Sequence, residues 1–411
     1  MSGFRWKAGF AALALVWAAL SQASPAVAQS DPSEEEVFQR AKSLVEKGRL
    51  HEAEQLARRA WARSRSRNPD VLFRLAVFLA EMQQYERAAR LFSEINRLRP
   101  NTPQVLYNLG VSYFQLKRMD EAVRALARSA DLDPGPAQTH LYLGMLASER
   151  GDHENAVIEF QHAVARAPDD ATHYYLLGVE YLQVNDWSDA VQACGRASGL
   201  EPMQADILVC LGRAHFGTMN YPLAVQALEQ AAQLDPQIPD INYLIAYALL
   251  YAQNLEKSRV YFERQVSAMP TDVESRAMLG HIEVDLGRLD EAKRNLEQVL
   301  AAIPDHVEAA FDLGRTYVKL HDYDRAIATL KGVIQLSPEH AQAQYQLYLA
   351  YSRLKQGDQA AAALAEFKKL EPLDRELDSF VERLDRIHKL RWGRLPLKPP
   401  PQPNNQSTSP E

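Results

Sequence analysis

Eleven histidines, two cysteines and 53 carboxylates are the groups in this 411-residue chain that could serve as metal ligands, nucleophiles or general acids and bases. Their spacing builds no such chemistry. A helical zinc site of the HExxH kind needs a second histidine four residues after the first. His51-Glu52 has Gln55 there. No GxSxG elbow and no phosphate-cradling glycine loop occurs. Carboxylate pairs such as Asp169-Asp170 follow a proline and precede an apolar run, where an acid caps the next helix. No catalytic residue, metal or cofactor is therefore assigned.

The elements that carry these residues are set out by proline. Pro100, Pro134, Pro168, Pro202, Pro236, Pro270, Pro304, Pro338 and Pro372 recur every 34 residues. A small residue stands 24 positions before them, at Ala76, Gly110, Gly144, Gly178, Gly212, Ala246, Gly280 and Gly314. Alanine stands 12 positions before, at Ala88, Ala122, Ala156, Ala190, Ala224, Ala292, Ala326 and Ala360. Leu106, Leu109, Gly110 and Tyr113 mark one face of a helix. Small residues at facing positions let two helices approach closely, and proline ends the second of them. One pair cannot bury its own apolar face, but stacked neighbours can.

This pattern of Leu-Gly, Ala and Pro at fixed offsets resembles the tetratricopeptide repeat, over residues 34–374 of the chain. The resemblance implies an all-α fold: a right-handed α-solenoid of about ten helix-turn-helix repeats. They begin near residues 34, 69, 103, 137, 171, 205, 239, 273, 307 and 341. It also implies a non-enzymatic scaffold that holds a peptide or protein in a concave groove lined by the first helix of each repeat. Exported bacterial relatives serve in secretion, envelope-polymer export, pilus assembly and outer-membrane assembly. A polysaccharide export complex is thus an alternative setting. A hydrolase or transferase with a site buried among the repeats would need converging titratable groups, which the linear spacing does not offer. The lysine of the family's carboxylate clamp is missing from the fifth repeat position, which reads Phe73, Tyr107, Leu141, Tyr175, Val209, Tyr243, Ala277, Phe311 and Tyr345.

The flanks read differently. Arg5 and Lys7, the apolar run Ala8–Leu20 and the small residues Ala26-Val27-Ala28 predict a signal peptide over 1–28, cleaved before Gln29. The mature chain is then expected outside the cytoplasm, periplasmic or secreted, with no transmembrane segment. Residues 29–33 read as a linker. After Pro372, Leu377, Phe380, Val381, Leu384 and Ile387 predict a capping helix over 375–392. The Pro-rich remainder, 393–411, is expected to be disordered. Cys194 and Cys210 lie symmetrically about Pro202. Packed helices average 8–10 Å apart, wider than a disulfide's usual Cα spacing, so two buried thiols are expected.

Net charge is −7, which argues against a nucleic-acid footprint. Its distribution is uneven. Residues 34–100 carry 14 basic and 10 acidic groups, whereas 135–235 carry 4 and 13.

For a partner, the residues of choice are Tyr243, Tyr247 and Tyr251, spaced i, i+4 and i+8 on one helical stripe. The resemblance places them on the groove face, with Tyr175, Arg213, Phe216, His281, Phe311 and Arg315 on neighbouring first helices. The expected site is an aromatic floor with a few cations, suited to a peptide with apolar anchors and an acidic residue. The repeat that carries them is rich in tyrosine and departs most from the pattern, with Ala246 for glycine and Ser258 for alanine.

Overall fold

The computed structural model describes residues 32–63 and 69–376. Among the described residues it has twenty α-helices and no strand. They divide between Pro202 and Met203 into two units. The first unit contains five pairs: α1 (Pro32–Glu46) with α2 (Leu50–Arg63), α3 (Asp70–Glu81) with α4 (Tyr85–Leu98), α5 (Pro103–Gln115) with α6 (Met119–Leu132), α7 (Ala137–Glu149) with α8 (His153–Arg166), and α9 (Ala171–Gln183) with α10 (Trp187–Leu200). The second contains another five: α11 (Ala205–Gly217) with α12 (Tyr221–Leu234), α13 (Ile241–Tyr251) with α14 (Leu255–Ala268), α15 (Val273–Asp285) with α16 (Leu289–Ala302), α17 (Val307–Lys319) with α18 (Tyr323–Leu336), and α19 (Ala341–Arg353) with α20 (Gly357–Glu376). The expected all-α array of helix-turn-helix repeats is what the chain forms.

Each turn is built by the same backbone device. The second residue after each first helix is left-handed: Gly48, Gln83, Lys117, Gly151, Asn185, Met219, Gln253, Gly287, His321 and Lys355 have positive φ. Gly151 donates its N–H to Ser148 at 2.9 Å and Asp152 donates to Ala147 at 2.9 Å, which satisfies carbonyls at the helix end. The following helix is capped in several repeats by a side chain, as when Asp186 accepts from the Asp189 amide and Asp322 from Arg325. Asp170 accepts from the Thr172 amide at 2.8 Å, the capping role read from the Asp169-Asp170 pair.

Packing follows the small positions. Ala88, Ala122, Ala156, Ala190, Ala224, Ala292 and Ala326 are fully buried. A Cβ built on Gly110, Gly144, Gly280 or Gly314 would fall within 2.7 Å of the side chain sixteen residues on, which is Leu126, Phe160, Leu296 or Leu330. Glycine is required there because the second helix already fills the space. One apolar cluster in the first unit runs from Ala41 to Ala125. Two in the second unit centre on α13 and on α17.

Three expectations need correction. The predicted linker ends early, because α1 already begins at Pro32, whose fixed φ suits the first helical turn. Pro372 does not end its helix, for α20 continues through it to Glu376. Neither Cys194 nor Cys210 is a free thiol, although both are fully buried. The 8–10 Å spacing behind the two-thiol expectation is an average that depends on the side chains at the contact, so it does not fix the state of a buried cysteine. Residues 1–31, with the predicted signal peptide, and 377–411, with most of the capping helix and the tail, lie outside the described residues.

Candidate functional site

The second unit gathers the expected aromatic residues into one cluster. Tyr243 stacks on Tyr247 with ring centres 5.7 Å apart, and Tyr247 meets Tyr251 at 5.1 Å. The hydroxyls of Tyr247 and Tyr251 are 3.3 Å apart. Phe216, at the end of α11, reaches Tyr247 at 5.5 Å and Tyr251 at 5.3 Å. Two rings absent from the sequence-based set complete the cluster. Tyr221, at the start of α12, contacts Phe216 and Tyr251, and Phe262 of α14 meets Tyr243 edge-on. Tyr221 had a signal: the first residue of the second helix is repeatedly aromatic, as at Tyr85, Trp187 and Tyr323.

The cluster is not a uniformly open floor. Tyr243 and Tyr247 are 1% and 0% exposed and belong to the apolar core around α13. The expectation that all three tyrosines stand on a face not needed for packing is therefore corrected at these two. The 17° stacking of their rings lets a face four residues deep close on itself, and Phe262 covers its inner end. Tyr251, Phe216 and Tyr221 are half-buried and carry the accessible ring surface. Arg213 and Tyr175 are buried, the first on α11 and the second on α9 of the first unit.

Two of the expected cations, His281 and Arg315, lie further along the second unit and are held by acids. His281 of α15 is 2.8 Å from Asp312 of α17 through Nδ1, and 3.6 Å from Asp285 through Nε2. Arg315 donates to Asp312 at 2.8 Å and to Asp285 at 2.7 Å. Burial disfavours charge on His281. The charge and hydrogen bond of Asp312, joined by Asp285, outweigh it and hold the imidazole above its ordinary value. Burial likewise works against the Asp312 carboxylate, but His281 and Arg315 keep it below the usual range. Phe311 packs on His340 at 4.5 Å and lies under the Arg315 guanidinium at 5.7 Å. The cationic expectation is thus corrected: two carboxylates balance the two cations, and Arg315 and His281 tie α15 to α17. Both acids carried a legible signal. Asp285 is four residues after His281 and Asp312 three before Arg315, the spacings of helical ion pairs.

Among the described residues, no group of three His, Cys, Asp or Glu side chains could hold a metal ion. No described helix is long and apolar enough to cross a membrane.

The fold defines a class: a repeat array of helix-turn-helix pairs. Family models bear this out. One described as tetratricopeptide repeat matches residues 107–171, 141–204, 175–239, 211–272 and 311–377, and another of the same description matches 283–334. The chain belongs to the tetratricopeptide repeat family. A model described as anaphase-promoting complex, cyclosome, subunit 3 matches residues 46–129. No curated protein matches the chain. Among solved structures, YrrB, titled a TPR protein with an unusual peptide-binding site, is 24% identical over 45% of this chain and 96% of its own, with a TM-score of 0.42. The C-terminal part of a TPR repeat-containing protein from Cytophaga hutchinsonii is 20% identical over 67% of this chain and 99% of its own, with a TM-score of 0.43. MamA from Desulfovibrio magneticus RS-1 is 22% identical over 41% and 96%, with a TM-score of 0.39.

Proposed function

We propose that the chain is a non-enzymatic, exported scaffold that holds a peptide or protein segment against the first helices of its second unit, in envelope assembly or secretion. Family membership supports the scaffold role, since the family's fold is that of a protein–protein interaction module. The observation that carries the site is the half-buried edge of the aromatic cluster at Phe216, Tyr221 and Tyr251, backed by the fixed rings of Tyr243 and Tyr247. Rings held by a packed layer lose little conformational freedom on binding, which is why tyrosine is enriched among binding hot spots. Because His281 and Arg315 are balanced by Asp285 and Asp312, the ligand is selected by apolar or aromatic anchors rather than by an acid on these two cations. Export rests on the basic start, apolar run and Ala26-Val27-Ala28 site of residues 1–28.

A displayed random-peptide library tests the site. Peptides with an apolar or aromatic anchor should be enriched, and their binding should weaken by about tenfold when Phe216 and Tyr251 are both alanine. Enriched peptides that bind this variant as well as the parent would remove the site. N-terminal sequencing of the native protein tests export: Gln29 at the start supports it, and Met1 or Ser2 contradicts it.

A further inference from the structure

A second cleft, of about 380 Å³, lies in the first unit on the second helices α2 and α4 and the end of α5. It is separate from the aromatic cluster in sequence, element and charge. Four arginines line it: Arg58, Arg90, Arg97 and Arg118. Two of these are committed. Arg58 is held by Glu94 at 3.1 Å and by Glu54 at 3.3 Å. Arg118 pairs with Glu121 and lies over the Tyr113 ring at 4.6 Å. Arg90 and Arg97 are exposed, and no ion pair to either occurs among the described residues. Arg90 makes one 3.3 Å bond, to the Glu86 carbonyl of its own helix. The lining thus sets four positive charges against Glu86 and Glu94. This surplus sits in a region where basic groups outnumber acids, 14 to 10 over residues 34–100.

We propose that this cleft is a docking site for an acidic, extended peptide segment of a partner protein, with carboxylates seated on Arg90 and Arg97. Guanidinium groups bind carboxylates through paired hydrogen bonds, which fixes orientation as well as charge. The two arginines are seven residues apart on one helix, so their Cα atoms are roughly 10 Å apart. A polyproline II segment presents every third side chain on the same side, about 9 Å apart. Acids three residues apart on such a segment meet both arginines. The mixed lining favours a peptide over a uniform polyanion. A chain of phosphates or an anionic membrane would set negative charge against Glu86 and Glu94 as well as onto the arginines, whereas a peptide can place neutral residues there. Ser93 and Tyr113, whose hydroxyls are 3.4 Å apart, offer hydrogen bonds to such a backbone.

The test is fluorescence anisotropy of the chain with a labelled Glu-Pro-Ser repeat peptide, against the same peptide with glutamine for glutamate. The glutamate peptide should bind and the glutamine peptide should not. The double variant Arg90→Glu, Arg97→Glu should weaken binding about tenfold, and more at low salt than at physiological salt. Both side chains are exposed, so its far-UV circular dichroism should match the parent. The Phe216→Ala, Tyr251→Ala variant should bind the acidic peptide unchanged, which separates this site from the aromatic one. Unaltered binding by the arginine variant would overturn the proposal. So would equal capture of inorganic polyphosphate or phosphatidylglycerol vesicles through the same arginines.

Discussion

The hydroxyl of Ser258 donates a 2.7 Å hydrogen bond to the carbonyl oxygen of Ala246, and both residues are fully buried. These are the two departures of one repeat from the small-residue pattern, and they touch. Serine adds an oxygen where its counterparts have only a methyl group, and the facing helix supplies the acceptor. The same repeat places Gln265 against Asp240 at 2.8 Å, beside the left-handed φ of 58° at Asp240. The irregular residues of this repeat therefore form a polar seam that fixes α13 on α14 beneath the aromatic cluster.

Ser258→Ala restores the family's usual residue but should lower stability by about 1 kcal/mol, the net worth of one buried hydrogen bond. Urea unfolding of both forms measures it. A variant as stable as the parent would mean that the contact contributes nothing.

Gly314→Ala should also destabilise. Its Cβ would lie 2.6 Å from Leu330 Cδ2 and 2.7 Å from Cγ, so the leucine or the helix must move. Overpacking of this kind costs about 1–3 kcal/mol, partly offset by alanine's helix propensity of about 1 kcal/mol. With Leu330→Ala in the same chain the two losses should be less than additive, since the cavity accepts the new methyl group. Full additivity would show that the two residues do not share that space.

The array was legible because its spacing is a packing rule: Gly314 and Leu330, or Ala122 in its buried slot, leave little choice of residue. The turn geometry was not. The left-handed residue that ends each first helix is glycine only at positions 48, 151 and 287, while Met219, His321 and others take the same conformation. A side chain there costs about 1–2 kcal/mol, which tertiary packing overrides, so the sequence carries no consistent mark. The site was half legible. The i, i+4, i+8 spacing put Tyr243, Tyr247 and Tyr251 on one stripe, but spacing does not say how far the stripe is covered. That depends on Phe216, Tyr221 and Phe262, from three other helices. The charges of His281 and Arg315 were read without their acids, so a structural clamp was taken for a cationic surface.

That clamp makes stability depend on pH. The folded-state value of His281 lies above its unfolded value, near 6.5, so its contribution is complete below that pH and is lost as pH rises through the folded value. Asp312 is shifted the other way. Its contribution is present above its unfolded value, near 3.9, and is lost as pH falls through the folded one. The urea midpoint should therefore fall in the parent as pH rises above about 6.5, and His281→Gln should flatten that step. Asp312→Ala should cost about 3 kcal/mol near neutrality, because it leaves Arg315 and His281 to share Asp285 alone. An unchanged pH profile in His281→Gln would exclude this histidine as the source.

Tyr247 and Tyr251 differ by one helical turn and should differ in role. Tyr247 is 0% exposed, packed between Tyr243, Phe216 and Tyr251. Truncating a fully buried ring to alanine removes its contacts and leaves a cavity, at a cost of about 3–5 kcal/mol. Tyr251 is half-buried at the cluster's edge, where a partner can reach it. Tyr251→Ala should cost about 1 kcal/mol of stability, because less surface returns to water and the site opens onto solvent instead of closing around a void. Binding should show the reverse order, with Tyr251→Ala weakening peptide capture at a temperature where it is fully folded. Conservative replacement sharpens the contrast. Tyr251→Phe keeps the ring and should keep capture, while Tyr247→Phe should preserve the fold and lose the 3.3 Å hydroxyl contact to Tyr251. If the two alanine variants lose equal stability, Tyr251 belongs to the core as fully as Tyr247, and the accessible edge shrinks to Phe216 and Tyr221.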